Sequence, residues 1–474
     1  MSSQTSELNQ STRLIPGPKG HFFSGSAREL IADPLGFING LADTYGPVVR
    51  FKAFTNSFLL VSDPNLVREV LVTQAANFPK DKRDIEILSR MLGFGLVTTN
   101  GEAHKRQRRL TQPAFHSKRI DAYAGTMVAY TLAMIDDWQI NSLAASMTLD
   151  INEAMRELTL YIVARTLFGA DRVTMKETAD RVGQAIHILQ DITNKEFQSP
   201  VVWPEWLPTS TNRRRRKAAA VLYETIDSLI AERRATVIDG QVADTGDLLS
   251  MLLISSDDTG DAMSDAEVRD QLVTLFVAGH ETTSNALTWT WYLLSQHPAE
   301  ETKLYQEVDR VLGGRPPTLA DLPTLPFTLR VIKEAMRLYP PAWVLNNRWA
   351  AEDTMLGDYP IRHGELIWLS PYVNHRRPQF FPDPERFHPD RWTPEFEKAL
   401  PKFAYMPFGG GPRVCIGNSF ALMEAQLIVA TMAQRAHLRL APGQVIEPNP
   451  QVTLSNKGGM QMIVESRTSQ PVNP

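Results

Sequence analysis

The spacing of apolar and polar residues changes character along this chain. From about residue 100 to 340 it is mostly helical, and short β-prone runs lie on either side. Val48 to Lys52 and Phe58 to Ser62 are two such runs, and the turn-like Asn56-Ser57 between them predicts a hairpin. Asp63-Pro64 then opens a helix to about Thr73. Ser264-Asp-Ala-Glu267 is a capping box, and the helix behind it is expected to run to Gln296, before Pro298. At about 1.5 Å per residue it spans about 45 Å, so it must cross the core. Residues 350 to 370 return to short strands with Gly357-Asp358-Tyr359 as a turn. Val452-Thr-Leu and Met460 to Val464 read as a last hairpin around Lys457-Gly-Gly459. Pro16-Gly17-Pro18 and Gly20 make residues 1–20 an extended lead-in. Length alone would suggest two domains. With no internal repeat or low-complexity linker, a single domain over 1–474 is expected.

Composition narrows the partners. A net charge of −4 gives no general pull toward nucleic acid. The polar segment from Met1 to Arg13 has no apolar core of a signal peptide, and no window is apolar for about 18 residues. Cys415 is the only cysteine, so no internal disulfide exists. That fits a reducing compartment, and a cytoplasmic location is expected. Arg213 to Lys217 is a run of five cations, read as a solvated helix start rather than a membrane patch.

A lone cysteine is by default a small buried hydrophobe. The neighbours of Cys415 argue otherwise. In Phe408-Gly-Gly-Gly-Pro-Arg413-Val-Cys415-Ile-Gly417, three glycines let the backbone turn tightly and pass close to a flat group. A helical pattern from Ser419 to about Arg435 puts the thiol near a helix N-terminus, which favours a thiolate. Zinc would need further ligands nearby, and covalent haem attachment would need Cys-x-x-Cys-His; neither is present.

Phe408-x-x-Gly-x-Arg413-x-Cys415-x-Gly417 resembles in full the haem-ligand signature of the cytochrome P-450 family. Two more motifs follow the family's order. Ala278-Gly279-His280-Glu281-Thr282-Thr283 is similar to its oxygen-activating segment, and Glu334-Ala-Met-Arg337 with Pro389-Asp-Arg391-Trp392 is similar to its structural Glu-Arg-Arg triad. The resemblance implies a mainly α fold, a helical body with a long central helix over the haem and a smaller β-rich region. It implies haem b (iron protoporphyrin IX), with Cys415 as the iron ligand and Phe408, Gly409, Arg413 and Gly417 around it. In the second motif Ala278 and Gly279 let the helix lie close to a flat ring. Thr282 can bond back to the carbonyl of Ala278 and loosen the helix locally. Glu281, an acid beside that hydroxyl, suits proton relay to bound dioxygen. The resemblance makes the triad a holder of the cysteine loop. Removing one partner would then strand a buried charge at roughly 3–5 kcal/mol.

Two buried propionates need cations from several segments. Arg413, Arg348, and the pair His104 and Arg108, four apart on one helix face, are the candidates. Many family members carry Trp where His104 stands. His375 is read as structural.

Segments that line the family's distal pocket are mostly apolar here: Ile87, Leu88, Phe94, Leu96, Ala278, Trp343, Val344 and Leu454. A hydrophobic substrate follows, to be hydroxylated or epoxidised. No flavin or iron–sulfur domain follows Cys415, so a separate ferredoxin or flavodoxin is expected to supply electrons. The cations Lys105, Arg106, Arg109, Lys118 and Arg119 form a docking candidate or an ordinary solvated face. The competing readings are a peroxide-driven relative and a non-catalytic haem sensor or carrier. The intact Glu281-Thr282 pair disfavours both.

Overall fold

The computed structural model describes residues 13–138, 146–169, 172–199, 201–238, 241–256 and 260–467. The chain divides into two compact units, each assembled from separated stretches of sequence. The described residues within 1–84, 343–384 and 399–415 form the first, and those within 85–342, 385–398 and 416–474 the second. The first twelve residues of the expected lead-in lie outside the described residues. The part from Arg13 to Gly20 is extended, and the Pro16 carbonyl accepts from Arg50 N–H at 2.8 Å.

The first unit is built on a four-stranded sheet. Val48–Ala53 and Asn56–Val61 pair as the expected antiparallel hairpin. Its turn is Phe54-Thr55, with Phe54 at a positive φ, and Asn56 and Ser57 already lie in the second strand. Packing decides the register: Phe58, Leu59, Leu60 and Val61 are all buried, which fixes where the second strand must run. Asn56–Val61 then pairs in parallel with Leu366–Leu369, which pairs antiparallel with Arg348–Trp349. Val48, Leu59, Val61, Val67, Phe78, Ile367 and Met406 form the core of this unit. Asp63 caps Pro64–Arg68, and a π-type turn, Glu69–Thr73, completes the expected helix.

The second unit is helical. Its axis is Asp265–Gln296, 32 residues long, opened by the Ser264–Glu267 capping box. It is amphipathic only near its start; beyond Phe276 most positions are buried all round, Trp289 and Trp291 included. Ile151–Phe168 packs beside it, and Thr159 Oγ1 donates to the His280 carbonyl at 2.9 Å. The described part of Arg172–Gln198, with Ser210–Ala235 and Leu248–Ile254, contributes to the same core.

Two expectations need correction. Leu454–Asn456 does not pair with the final strand. Its partner is Pro448–Pro450, while Gln461–Ser466 lies between Ala436–Leu440 and Ser146–Asp150. Gly458 and Gly459, both at positive φ, redirect the chain instead of closing a hairpin. The run Arg213 to Lys217 is not wholly solvated either. Arg215 is buried and pairs with Glu196, while Arg213, Arg214, Arg216 and Lys217 are exposed. Among the described residues no helix is long and apolar enough to cross a membrane.

Candidate haem site

In the first unit the cysteine loop is shaped as its glycines suggest. Gly411 sits at φ +65°, and a Cβ there would lie 2.0 Å from the Leu71 carbonyl oxygen. A Cβ on Gly410 would lie 2.1 Å from the Phe403 ring. Only glycine fits either position without moving its neighbours. The Cys415 N–H donates to the Phe408 carbonyl at 3.0 Å and closes the loop, leaving the thiol exposed at its end. Gly417 then caps Asn418–Arg435, close to the expected helix. His375 is structural, as expected: it is buried, and its Nε2 accepts from Met406 N–H at 2.8 Å.

The same unit holds a cluster of buried cations. Asp81 N–H donates to the Asn347 carbonyl and Trp349 N–H to the Pro79 carbonyl, so Lys80 runs alongside Arg348. Burial holds the Lys80 ammonium well below the usual lysine range, and repulsion from Arg413 and Arg348 lowers it further. Burial also brings the Arg348 guanidinium down to about 10, and its Nε has no hydrogen-bond partner among the described residues. Asp84 is the carboxylate that favours both charges. Burial and nearby Asp81 push Asp84 itself up to about 6, against donors from Asn347 N–H and Nδ2. Lys80 and Asp84 were not among the sequence candidates. Their only advance signal was the demand for cations from several segments.

In the second unit the motif residues lie on the central helix. Thr282 Oγ1 donates to the Ala278 carbonyl at 2.7 Å, the expected back-bond. The helix runs through the motif without a break. Ala278 is exposed, and Gly279, Glu281 and Thr282 are half-buried, on a helix otherwise buried around them. Gly279 differs from expectation. A Cβ there would lie 3.1 Å from Val163 Cγ2, so this glycine lets Ile151–Phe168 approach, and Ala278 is the open position. His280 is buried and its imidazole is brought down to about 4 by that burial, so it is neutral. The Glu281 carboxylate accepts from Thr453 Oγ1 at 2.7 Å and from Gln190 Nε2. Burial raises its pKa, against these donors and the charge of Arg156.

His104 and Arg108 occur on Gly101–Thr111, the former buried and the latter half-buried, and Arg108 Nε donates to Gln112 Oε1 at 3.2 Å. Of the apolar candidates in this unit, Ile87, Leu88, Leu96 and Leu454 are packed inside, whereas Phe94 is 61% exposed.

The triad is complete. Glu334 takes Arg337 at 2.9 Å, Arg391 Nε at 2.9 Å, Trp392 Nε1 at 2.9 Å and His388 N–H at 2.9 Å. Both arginines also donate to the Arg386 carbonyl. The triad thereby clamps residues 386–392 onto Pro326–Leu338.

The model of the family described as Cytochrome P450 matches residues 15–463. The chain belongs to the cytochrome P450 family. It is 40% identical over 456 residues to cyclooctatin synthase of Streptomyces melanosporofaciens, covering 96% of each chain. It is 39% identical to cyclooctat-9-en-7-ol 5-monooxygenase of the same organism, covering 89% of each. Pentalenene oxygenase of Streptomyces avermitilis is 35% identical over 94% of this chain and 95% of its own. Among solved structures, the crystal structure of cytochrome P450DA heme domain superposes with a TM-score of 0.84 at 27% identity, over 97% of this chain and 99% of that one. The P450 chain is therefore a haem monooxygenase, working on a hydrophobic small molecule with electrons from a redox partner.

Proposed function

We propose that this P450 hydroxylates or epoxidises a terpene-class substrate, a largely hydrocarbon skeleton with few polar groups, using haem b bound through Cys415. The names of the relatives support the class: cyclooctat-9-en-7-ol and pentalenene are both olefinic skeletons. The observation that carries the haem placement is the buried cation cluster in the unit that presents Cys415. Lys80 and Arg348 are both buried, half-buried Arg413 repels Lys80, and Asp84 and Asp81 are the nearby carboxylates. A further anion there would offset the cost of burying these cations. Two porphyrin propionates are such anions, and Arg348, Lys80 and Arg413 would hold them, with His104 and Arg108 as further contacts. Gly409, where a Cβ would meet only Leu345 at 3.9 Å, leaves the backbone room to pass close to a flat ring. The exposed Ala278 fits a second close approach to one. With the only cysteine used as axial ligand, no thioether attachment is possible, which favours haem b over a covalently bound form.

When bound, the haem activates dioxygen, so that one atom enters the substrate and the other leaves as water. The residues of the chain supply the setting. Amides at the start of Asn418–Arg435 favour the charged thiolate. Glu281 holds the proton to be delivered, and the Thr282 hydroxyl passes it on. Both distinguish this chain from a peroxide-driven relative or a sensor. Because each unit is assembled from separated stretches of sequence, residues 1–474 are read as one catalytic domain. A cytoplasmic location would supply reductant, and a ferredoxin or flavodoxin would deliver the electrons.

The test is a screen of cyclic terpene hydrocarbons and terpene alcohols by haem spin-state shift, followed by turnover with surrogate ferredoxin and flavodoxin. Product containing one atom of labelled dioxygen is expected. Spin-state shifts from highly polar molecules only, or turnover with peroxide alone, would contradict the proposal.

A further inference from the structure

Glu281 and Thr282 are neighbours in sequence, yet in this structure they do not hydrogen-bond to each other. The Thr282 hydroxyl donates to the Ala278 carbonyl. Both oxygens of Glu281 are engaged elsewhere: Oε1 by the Thr453 hydroxyl at 2.7 Å, and Oε2 by the Gln190 amide. Neither donor belongs to the central helix. Thr453 precedes the strand Leu454–Asn456, and Gln190 lies on Arg172–Gln198.

The two donors are themselves tied down. Thr453 is buried, and its oxygen accepts from Asn285 Nδ2 at 3.1 Å, one turn beyond Glu281. Asn194, one turn beyond Gln190, grips the segment before Thr453 twice. Its Nδ2 donates to Gln451 Oε1 at 2.8 Å, and its Oδ1 accepts from Val452 N–H at 2.9 Å. Helix, loop and acid thus form one hydrogen-bonded unit. Arg156, paired with Glu153 on Ile151–Phe168, is the charged group that faces Glu281, and Gln190, Thr453 and Asn285 are neutral. The hold is therefore made of neutral donors to the two oxygens of the Glu281 carboxyl group, and such bonds can exchange for water.

We infer that Gln190 and Thr453 are positioning residues that park the carboxyl of Glu281 away from Thr282, so that proton delivery requires Glu281 to leave them. In the step itself the Glu281 carboxyl loses one proton to the hydrogen-bond chain that begins at the Thr282 hydroxyl, and regains one from solvent water. Parking keeps the carboxyl of Glu281 out of reach of the Thr282 hydroxyl, at a cost in speed. Movement of Arg172–Gln198 or of residues 451–453 would unlatch the acid, because Asn194 makes them move together. The inference rests on Glu281 being the proton donor, as proposed above.

The experiment uses the holoenzyme and four variants: Gln190→Leu, Thr453→Val, Thr453→Ser and Glu281→Gln. Loss of a donor disfavours the carboxylate, so Gln190→Leu and Thr453→Val should move the alkaline limb of the turnover profile to higher pH. The solvent deuterium isotope effect on turnover should fall in both. Thr453→Ser keeps the hydroxyl and should retain the wild-type profile. A readout independent of turnover is the infrared carboxyl band that disappears in Glu281→Gln. In Gln190→Leu and Thr453→Val it should shift to higher wavenumber and persist to higher pH. If Glu281→Gln loses turnover but the latch variants leave limb, isotope effect and band unchanged, parking is overturned and the relay stands. If Glu281→Gln turns over like wild type, the relay itself falls and parking with it. If Thr453→Ser behaves like Thr453→Val, the hydroxyl is not what holds the acid, and parking is overturned.

Discussion

Around Glu334, one carboxylate meets two guanidiniums, an indole N–H and a backbone N–H, all out of solvent. Around Lys80, two arginines add to the cost of burying a third cation, and Asp84 answers them. Each cluster belongs to a different unit, and both are buried. The first closes on itself by hydrogen bonding: guanidinium N–H groups not used by Glu334 donate to the Arg386 carbonyl. In the second, Lys80 is repelled by Arg348 and Arg413 beside Asp84, and Arg348 Nε has no hydrogen-bond partner among the described residues. A closed cluster holds a segment in place. An open one is suited to an anion, and under the proposal above the haem propionates would be that anion.

The largest effect is expected at the closed cluster. Glu334→Gln or Arg337→Met leaves a buried charge short of its partner and should cost about 3–5 kcal/mol in denaturant unfolding. Replacing Glu334, Arg337 and Arg391 together by apolar residues of similar volume should cost less than either single change. If the single variants unfold like wild type, the cluster does not hold the fold.

The open cluster should respond with the opposite sign. In haem-free protein Lys80→Met removes an ion that is costly to bury, and should stabilise the chain by an amount on the order of 1 kcal/mol. The same variant should retain haem less well. The pH dependence follows from the depressed Lys80 value. Between that value and the ordinary lysine value of 10.5, the unfolded chain binds more protons, so haem-free stability rises with pH. Lys80→Met should flatten that rise, and an unchanged slope would count against the open cluster.

Glu424 shows a third way to bury an acid, which is to discharge it. Fully buried on Asn418–Arg435, it is pushed up to about 8 by that burial, and the Thr283 hydroxyl offsets only part of the cost. Its folded value lies above its unfolded one, so its contribution is full below about 4.5 and is lost as pH rises through about 8. Glu424→Gln should be close to neutral at acid pH and should reduce the loss of stability between those values. Equal pH slopes in variant and wild type would show that Glu424 is already ionised.

The smallest effects are expected on the surface. Arg106 pairs with Glu267 at 2.9 Å, Arg119 with Asp244 at 2.7 Å and Lys105 with Glu102 at 2.6 Å, so much of the docking candidate is locally compensated. Charge reversal at Arg109 should slow electron transfer modestly at low salt and not at high salt. No salt-dependent change would remove that face as the docking surface.

These contrasts also mark what could be read along the chain. The cysteine loop, the capping box of Asp265–Gln296 and the Glu334–Arg337 pair are local in sequence, so spacing alone exposes them. Lys80 could not be singled out, because its meaning depends on Arg348, brought beside it by backbone pairing across a distant stretch. Gln190 and Thr453 are ordinary polar residues until the fold sets both against Glu281. Strand pairing failed for the same reason: Gln461–Ser466 takes partners from Ser146–Asp150 and Ala436–Leu440, not from its neighbour. Gly279 was legible as a close-approach residue, but only the fold shows that Val163 is what approaches.

Everything assigned to the haem rests on Cys415 being its thiolate ligand. The reduced carbon-monoxide spectrum of freshly purified protein, recorded beside Cys415→His, tests this most directly. The native protein should show a Soret band strongly shifted to long wavelength, and the variant, if it retains haem, should lose that shift. A native band at the position of histidine-ligated haem, or a shifted band that survives in Cys415→His, would contradict the assignment.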